Sequence, residues 1–168
     1  MRSTTRLGKR ASLAWLARFP NLVVLRTFSK AYGLAGLRVG FGVAHPEIVA
    51  AVDRVRPPFN VNAPAQAAAA GALADQAHVR RSAALARRER VRLAGALRGL
   101  GWRPVPSQAN FVFAAVPGRS GQDMFRRLLR RGVIVRPFPG PYVRVTAGTP
   151  AQNDLFLQAA RAARRTRA

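Results

Sequence analysis

Apolar and polar residues along the 168-residue chain change their spacing several times, and each change marks an element. Within residues 12–18 the apolar positions Leu13, Trp15 and Leu16 read as a short helix, broken by Pro20 and Asn21. "NLVVLRTFS", residues 21–29, is apolar on both alternating faces and rich in β-branched side chains, which predicts a strand buried on two sides. "KAYGLAG" reads as a turn of small residues, and "LRVGFGVA" as a second strand weakened by Gly40 and Gly42. "HPEIVAAVDRV" has helical spacing, with Pro46 in the first turn, where a missing N–H costs nothing. "RPPFNVNAP" is a loop, and the alanine-rich run after Pro64 predicts a closely packed helix.

Residues 75–99 carry the pattern of one long helix, with an apolar stripe of Leu85, Val91, Leu93 and Leu97 opposite a solvated arginine face. Gly101 ends it, and the chain changes style. "WRPVPSQANFVFAAV" is a strand behind a proline-rich entry, and "GQDMFRRLLRRG" is an amphipathic helix closed by Gly132. "VIVRPF" and "YVRVTAG" are short strands around the turn "PGP". "TPAQNDLFLQAARAARR" is a last helix, with Thr149 as N-cap and Pro150 at its first position. The order predicts an α/β fold: the end of one α/β domain with its linking helix over 12–99, then a small α+β domain over 100–168. Residues 1–11 are expected to be unordered, and no internal repeat is visible.

Composition removes several function classes. Hydrophobic residues make up 49%, too many for a disordered chain even at a net charge of +23. Without cysteine there is no disulfide framework and no thiolate metal site, and two histidines with six carboxylates leave little for any other, so no metal is expected. No apolar run approaches membrane-spanning length, so no membrane partner is expected. The basic N-terminus lacks a continuous apolar stretch and a cleavage site, which makes the cytoplasm the expected location. A strong positive charge is the footprint of a nucleic-acid binder. Here the arginines are spread along the chain without interleaved aromatics, in a pattern that resembles GC-rich coding bias. Nucleic acid is therefore not an expected partner.

The basic residues hold the main chemical clue. Of the 29, only Lys9 and Lys30 are lysines, and Lys30 lies in the glycine-punctuated stretch "RTFSKAYGLAGLRVGFG". Lysine can lose its proton when desolvated and attack a carbonyl as a free amine, which arginine cannot. At the end of an apolar strand the Lys30 amine is expected to be partly desolvated, with its pKa lowered. Thr27, Ser29 and Arg38 lie around the same turn, and together these groups could hold a phosphorylated aldehyde. The opposing reading is a surface lysine in a loop, followed by chance by an arginine; spacing alone does not separate the two.

"TFSKAYGLAGLRVGFG" resembles the lysine segment of class I/II, fold-type-I aminotransferases that use pyridoxal 5'-phosphate (PLP), in the form typical of histidinol-phosphate aminotransferase. "RPPFNVNAPAQAAA", "PSQANFVF", "GVIVRPF" and "VRVTAGTPAQND" follow in the family's order. The resemblance implies the C-terminal part of the family's large domain plus its small C-terminal α+β domain. It implies Lys30 as the catalytic residue that bonds the cofactor, and Thr27, Ser29 and Arg38 as cofactor-binding residues. It implies substrate contacts from Arg144, Arg136 and Asn110. A small-molecule amino donor, a 2-oxo acid (normally 2-oxoglutarate) and a homodimer follow as the implied partners.

The resemblance covers about the C-terminal half of such an enzyme, so the chain is expected to be truncated. The family's glycine-rich phosphate turn, its stacked aromatic ring, and the Asn, Asp and Tyr that tune the pyridine ring have no matching motif here. Read in another frame with GC-rich codons, "RSTTRLGK" can spell Val-Asp-Asp-Ala-Phe-Gly-Glu, which resembles a missing family segment. A frameshifted gene or a misassigned start is the corresponding expectation. Aromatic (phenylalanine) aminotransferases and threonine-phosphate decarboxylases share the neighbourhood. Outside the enzymes, the alternative is an inactive fragment or a chain that binds nucleic acid through charge.

Overall fold

The computed structural model of the chain describes residues 9–165. It forms two compact units that divide between Val79 and Arg80. The first unit opens with helix α1 (Lys9–Ala14), which runs into a 3₁₀ turn at Trp15–Ala17. The expectation for residues 1–11, with its alternative reading frame, falls mostly outside the described residues.

Strands β1 (Val23–Thr27) and β2 (Gly40–Ala44) pair antiparallel, with Val23 opposite Ala44 and Thr27 opposite Gly40. Glycine is required at 40, because a Cβ there would lie 2.6 Å from the Arg26 carbonyl oxygen. Helices α2 (Pro46–Asp53) and α3 (Ala63–Ala74) follow. His45 caps α2, its Nδ1 accepting the Glu47 N–H, and Asn62 caps α3, its Oδ1 accepting the Ala65 N–H at 2.8 Å. The small side chains of α3 leave room for the β1–β2 connection to pack. Phe28, Val39, Ala65 and Ala69 form a core, with Tyr32, Leu34 and Leu37 against it.

Burial of β1 on two sides, as its sequence predicts, does not occur. Val24 is buried, but Leu25 is 72% exposed and Val23 45%. Among the described residues the sheet has two strands, and Val23 and Leu25 on its second face stay exposed.

Helix α4 (Gln76–Gly99) carries the division between the units, because Leu93 and Leu97 pack into the second unit's core. The change of sequence style near residue 100 comes after this helix. The apolar stripe expected on α4 needs correction. Val91 is exposed, whereas Glu89, one turn before Leu93, is buried.

The second unit is a four-stranded antiparallel sheet with three helices on one face. Strands β3 (Arg103–Pro104), β4 (Phe111–Ala115), β5 (Arg136–Pro137) and β6 (Tyr142–Thr146) lie in the order β3-β4-β6-β5. Alternation does the sorting: Val112 pairs with Val145 and Ala114 with Val143, and all four are buried. They meet Leu93 and Leu97 of α4, Met124 and Leu128 of α5 (Gly121–Leu129), and Phe156, Leu157, Ala160 and Ala163 of α6 (Pro150–Arg165). The strand expected over "VIVRPF" shrinks to two residues, because Pro137 offers no N–H and suits only an edge. Among the described residues no helix is long and apolar enough to cross a membrane, and no cluster of His, Asp and Glu could hold a metal.

Candidate functional site

Four of the residues singled out by sequence lie on the β1–β2 connection of the first unit. Thr27 ends β1, and its Oγ1 accepts the Ser29 N–H at 3.0 Å. Phe28 turns inward between them, its ring centroid 4.8 Å from that of Tyr32. The chain then turns tightly at 30–33: the Lys30 carbonyl accepts the Gly33 N–H at 2.9 Å, with Gly33 at φ +75°. A bond from the Leu34 N–H to the Phe28 carbonyl closes the turn at 3.0 Å. Inward Phe28 thus fixes the backbone on which Lys30 faces outward.

Lys30 is exposed, which corrects the expectation of a desolvated amine. The strand stops three residues earlier, and the turn carries the lysine away from the small core. Arg38 follows a 3₁₀ turn at Ala35–Leu37 and holds a left-handed backbone, φ 53° and ψ 44°. For a residue with a Cβ that conformation costs ~1–2 kcal/mol, and such strain concentrates at functional positions. Its Nη1 donates to the Ala35 carbonyl at 2.8 Å. No Asp or Glu occurs in residues 21–46. Thr27 also borders an open concavity with Leu25, Arg26, Gly40, Phe41 and Gly42, which Ser29, Lys30 and Arg38 do not line.

The remaining three residues belong to the second unit, Arg136 and Arg144 on the sheet face turned away from the helices and Asn110 in the bend that precedes β4. Register places Arg136 of β5 directly opposite Arg144 of β6, and Arg144 in turn opposite Phe113 of β4. The Arg144 guanidinium lies over the Phe111 ring at 5.1 Å, and that of Arg136 over the Phe138 ring at 5.4 Å. Phe113 stacks on Tyr142 with centroids 5.1 Å apart and meets Phe138 edge-on. Strand pairing therefore brings Phe111 and Phe113 of β4 in among the arginines and aromatics of residues 136–144. Neither guanidinium has a carboxylate or hydrogen-bond partner among the described residues. Like charges set opposite each other repel, so an anion placed between them would be bound by both. Asn110 is held through its backbone, its carbonyl accepting the Ala147 N–H at 2.9 Å.

Sequence reasoning missed what lies beneath this face. Glu89 is 2% exposed, and its carboxylate accepts from Asn153 Nδ2 at 2.9 Å and from the Arg92 guanidinium at 2.7 Å. These bonds, that from Asn153 foremost, hold its pKa below the usual carboxylate range against the opposing effect of burial. Asn153 also accepts the Gly148 N–H and donates to the Gly148 carbonyl, which clamps the β6–α6 junction. The only sequence signal was an acid one turn before Leu93 and two before Leu97. Asp123 on α5 is likewise lowered, chiefly by its bond from Arg127 Nε at 2.8 Å.

Comparison with known proteins places both sets of residues in one family. The model for "Aminotransferase class I and II" matches residues 3–159. The histidinol-phosphate aminotransferase of Anaeromyxobacter sp. (strain Fw109-5) is 54% identical over 156 residues, spanning 90% of this chain and 43% of that protein. Histidinol-phosphate aminotransferase 1 of Nitrosococcus oceani is 50% identical over 151 residues, 88% of this chain and 40% of that protein. The solved structure of histidinol-phosphate aminotransferase from Sinorhizobium meliloti, in complex with pyridoxal-5'-phosphate, superimposes with a TM-score of 0.77. It is 32% identical and covers 87% of this chain and 42% of that one. The chain thus spans about two fifths of the length of these relatives. Its lysine turn and its arginine strands both fall inside the matched span, and the chain belongs to the class I and II aminotransferases.

Proposed function

We propose that the chain carries the lysine and arginine machinery of a PLP-dependent aminotransferase that takes its amino group from histidinol phosphate and passes it to 2-oxoglutarate. The observation that carries the reading is the donor set of the 27–38 turn. A primary amine at Lys30 suits a carbonyl carbon. The Ser29 and Thr27 hydroxyls and the Arg38 guanidinium suit a phosphate, and no acid competes nearby along the chain. PLP held there would supply an electron sink for the charge that develops at the amino-bearing carbon. Lys30 Nζ holds the cofactor and carries the proton between the two carbons that exchange it. Arg144 and Arg136 bind the anionic end of the substrate, with Asn110, in the bend just before β4, as a further substrate contact. A homodimer in the cytoplasm is the assembly this reading expects.

An absorbance spectrum of the full chain with added PLP, before and after borohydride, tests the proposal. The expected result is a near-visible band that borohydride fixes to Lys30, mapped by peptide mass, and that Lys30→Ala abolishes. Absence of the band in folded protein, or fixation spread over other amines, overturns it. Turnover with histidinol phosphate, phenylalanine and threonine phosphate then ranks the donors. The share of the relatives' length spanned here favours a second reading, in which the isolated chain holds the cofactor without turning over. A band at Lys30 with no turnover of any donor is the outcome that selects it.

A further inference from the structure

We propose that Arg90 and Glu89, neighbours on α4, are positioning residues that fix the Arg144 guanidinium from the far side of the second unit's sheet. The inference rests on the reading of Arg144 as an anion-binding group. Two loops lie at one end of the paired strands β4 and β6, residues 107–110 before β4 and 147–149 after β6; α4 bonds the first directly and the second through Asn153 of α6.

Arg90 Nη1 donates to the Ala109 carbonyl at 2.7 Å, and its Nη2 reaches Gln108 Oε1 at 3.5 Å. Within that loop Ser107 Oγ donates to the Phe111 carbonyl at 3.0 Å and accepts the Ala109 N–H at 3.1 Å. The backbone entering β4 is therefore pinned at Ala109 and Phe111, and Phe111 carries the ring beneath Arg144. On the other side Glu89 holds Asn153, and Asn153 clamps both polar groups of Gly148. The bond from the Ala147 N–H to the Asn110 carbonyl ties the two loops together. Two adjacent helix residues of opposite charge thus reach the same guanidinium by separate routes, one through the ring under it and one through the end of its strand. Among the described residues Arg144 has no carboxylate partner, so the ring beneath it and the strand that carries it are what order its side chain for an incoming anion.

The test uses the full chain, with inorganic phosphate as probe and the Arg144 Nε–H signal as reporter, since the Phe111 ring current marks its place. Arg90→Lys keeps the charge but loses the fork that spans Ala109 and Gln108. Glu89→Gln makes the chain more positive, so general attraction alone would tighten phosphate, whereas lost positioning weakens it. The expected result is an Arg144 signal that moves toward the value of an unstacked arginine in both variants. Phosphate affinity read at that signal should fall about fivefold, the order of one lost hydrogen bond. An Arg144 signal unmoved in Arg90→Lys overturns the proposal, and so does unchanged or tighter phosphate binding in both variants. Arg144→Gln separates the underlying reading: if the parent binds no phosphate, or this variant binds it equally well, Arg144 is not the anion group. The ligand-free signal still decides whether Arg90 and Glu89 position it.

Discussion

The two units use similar apolar strands to different ends. In the second, alternation sends Val112, Ala114, Val143 and Val145 into a core with three helices, and the opposite face carries aromatics and arginines. In the first, a strand apolar on both faces buries only one, and Leu25 and Phe41 stay exposed around an open concavity. The candidate nucleophile thus stands on the thinner scaffold, a core of Phe28 and Val39 against alanines, while the candidate anion-binding arginines stand on the thicker one. Local stability follows buried apolar contact. The arginine face is therefore ordered by its own unit, and the lysine turn depends chiefly on Phe28 and a few backbone bonds.

The comparison can be broken most forcefully in the second core. Leu128→Ala, at a fully buried position, should cost ~2–5 kcal/mol in urea unfolding. A loss of that size from Leu25→Ala would refute the contrast. Acid should strike the second unit next. Glu89 and Asp123 are both held below their unfolded values, so the stability they contribute is complete above the ordinary carboxylate range of about pH 4. It is lost as pH falls through their lower folded values, because the unfolded chain then binds more protons. Amide signals of Val112 and Val143, followed by NMR from pH 6 to 2, should lose protection over that window, and Glu89→Gln should flatten the change.

Smaller effects sharpen the contrast in the first unit. Arg38→Gly should relieve the left-handed backbone and raise the protection of β1 and β2 amides by ~1 kcal/mol in hydrogen exchange. The same change should weaken PLP binding, which would separate strain kept for function from strain without purpose. Leu25→Thr is the smallest, within about 0.5 kcal/mol in thermal melting, because a side chain already in water has little burial to lose.

Much of this was legible in the sequence. Strand alternation marked β4 and β6, the helical stripe marked α5 and α6, and proline and glycine marked most of the breaks. The lysine turn stood out because one of two lysines sat among glycines, and the five family segments gave it a context. Other features were not legible. Arg136 and Arg144 are eight residues apart, and only antiparallel register sets them opposite each other. Phe111 and Phe113 look unconnected to Arg144 until β4 and β6 pair. Glu89 looked like one more surface charge on an arginine-rich helix, because its partner Asn153 lies 64 residues away.

The sequence by itself determined the family, the order of elements and which residues carry reactive groups, since period, turn chemistry and residue type are local properties. Only the tertiary structure decided that Lys30 is exposed, that Arg38 is strained and that Glu89 is buried. It also decided which face of β1 is covered. Those facts depend on what lies across space from a residue, and register and packing bring together groups that distance along the chain conceals.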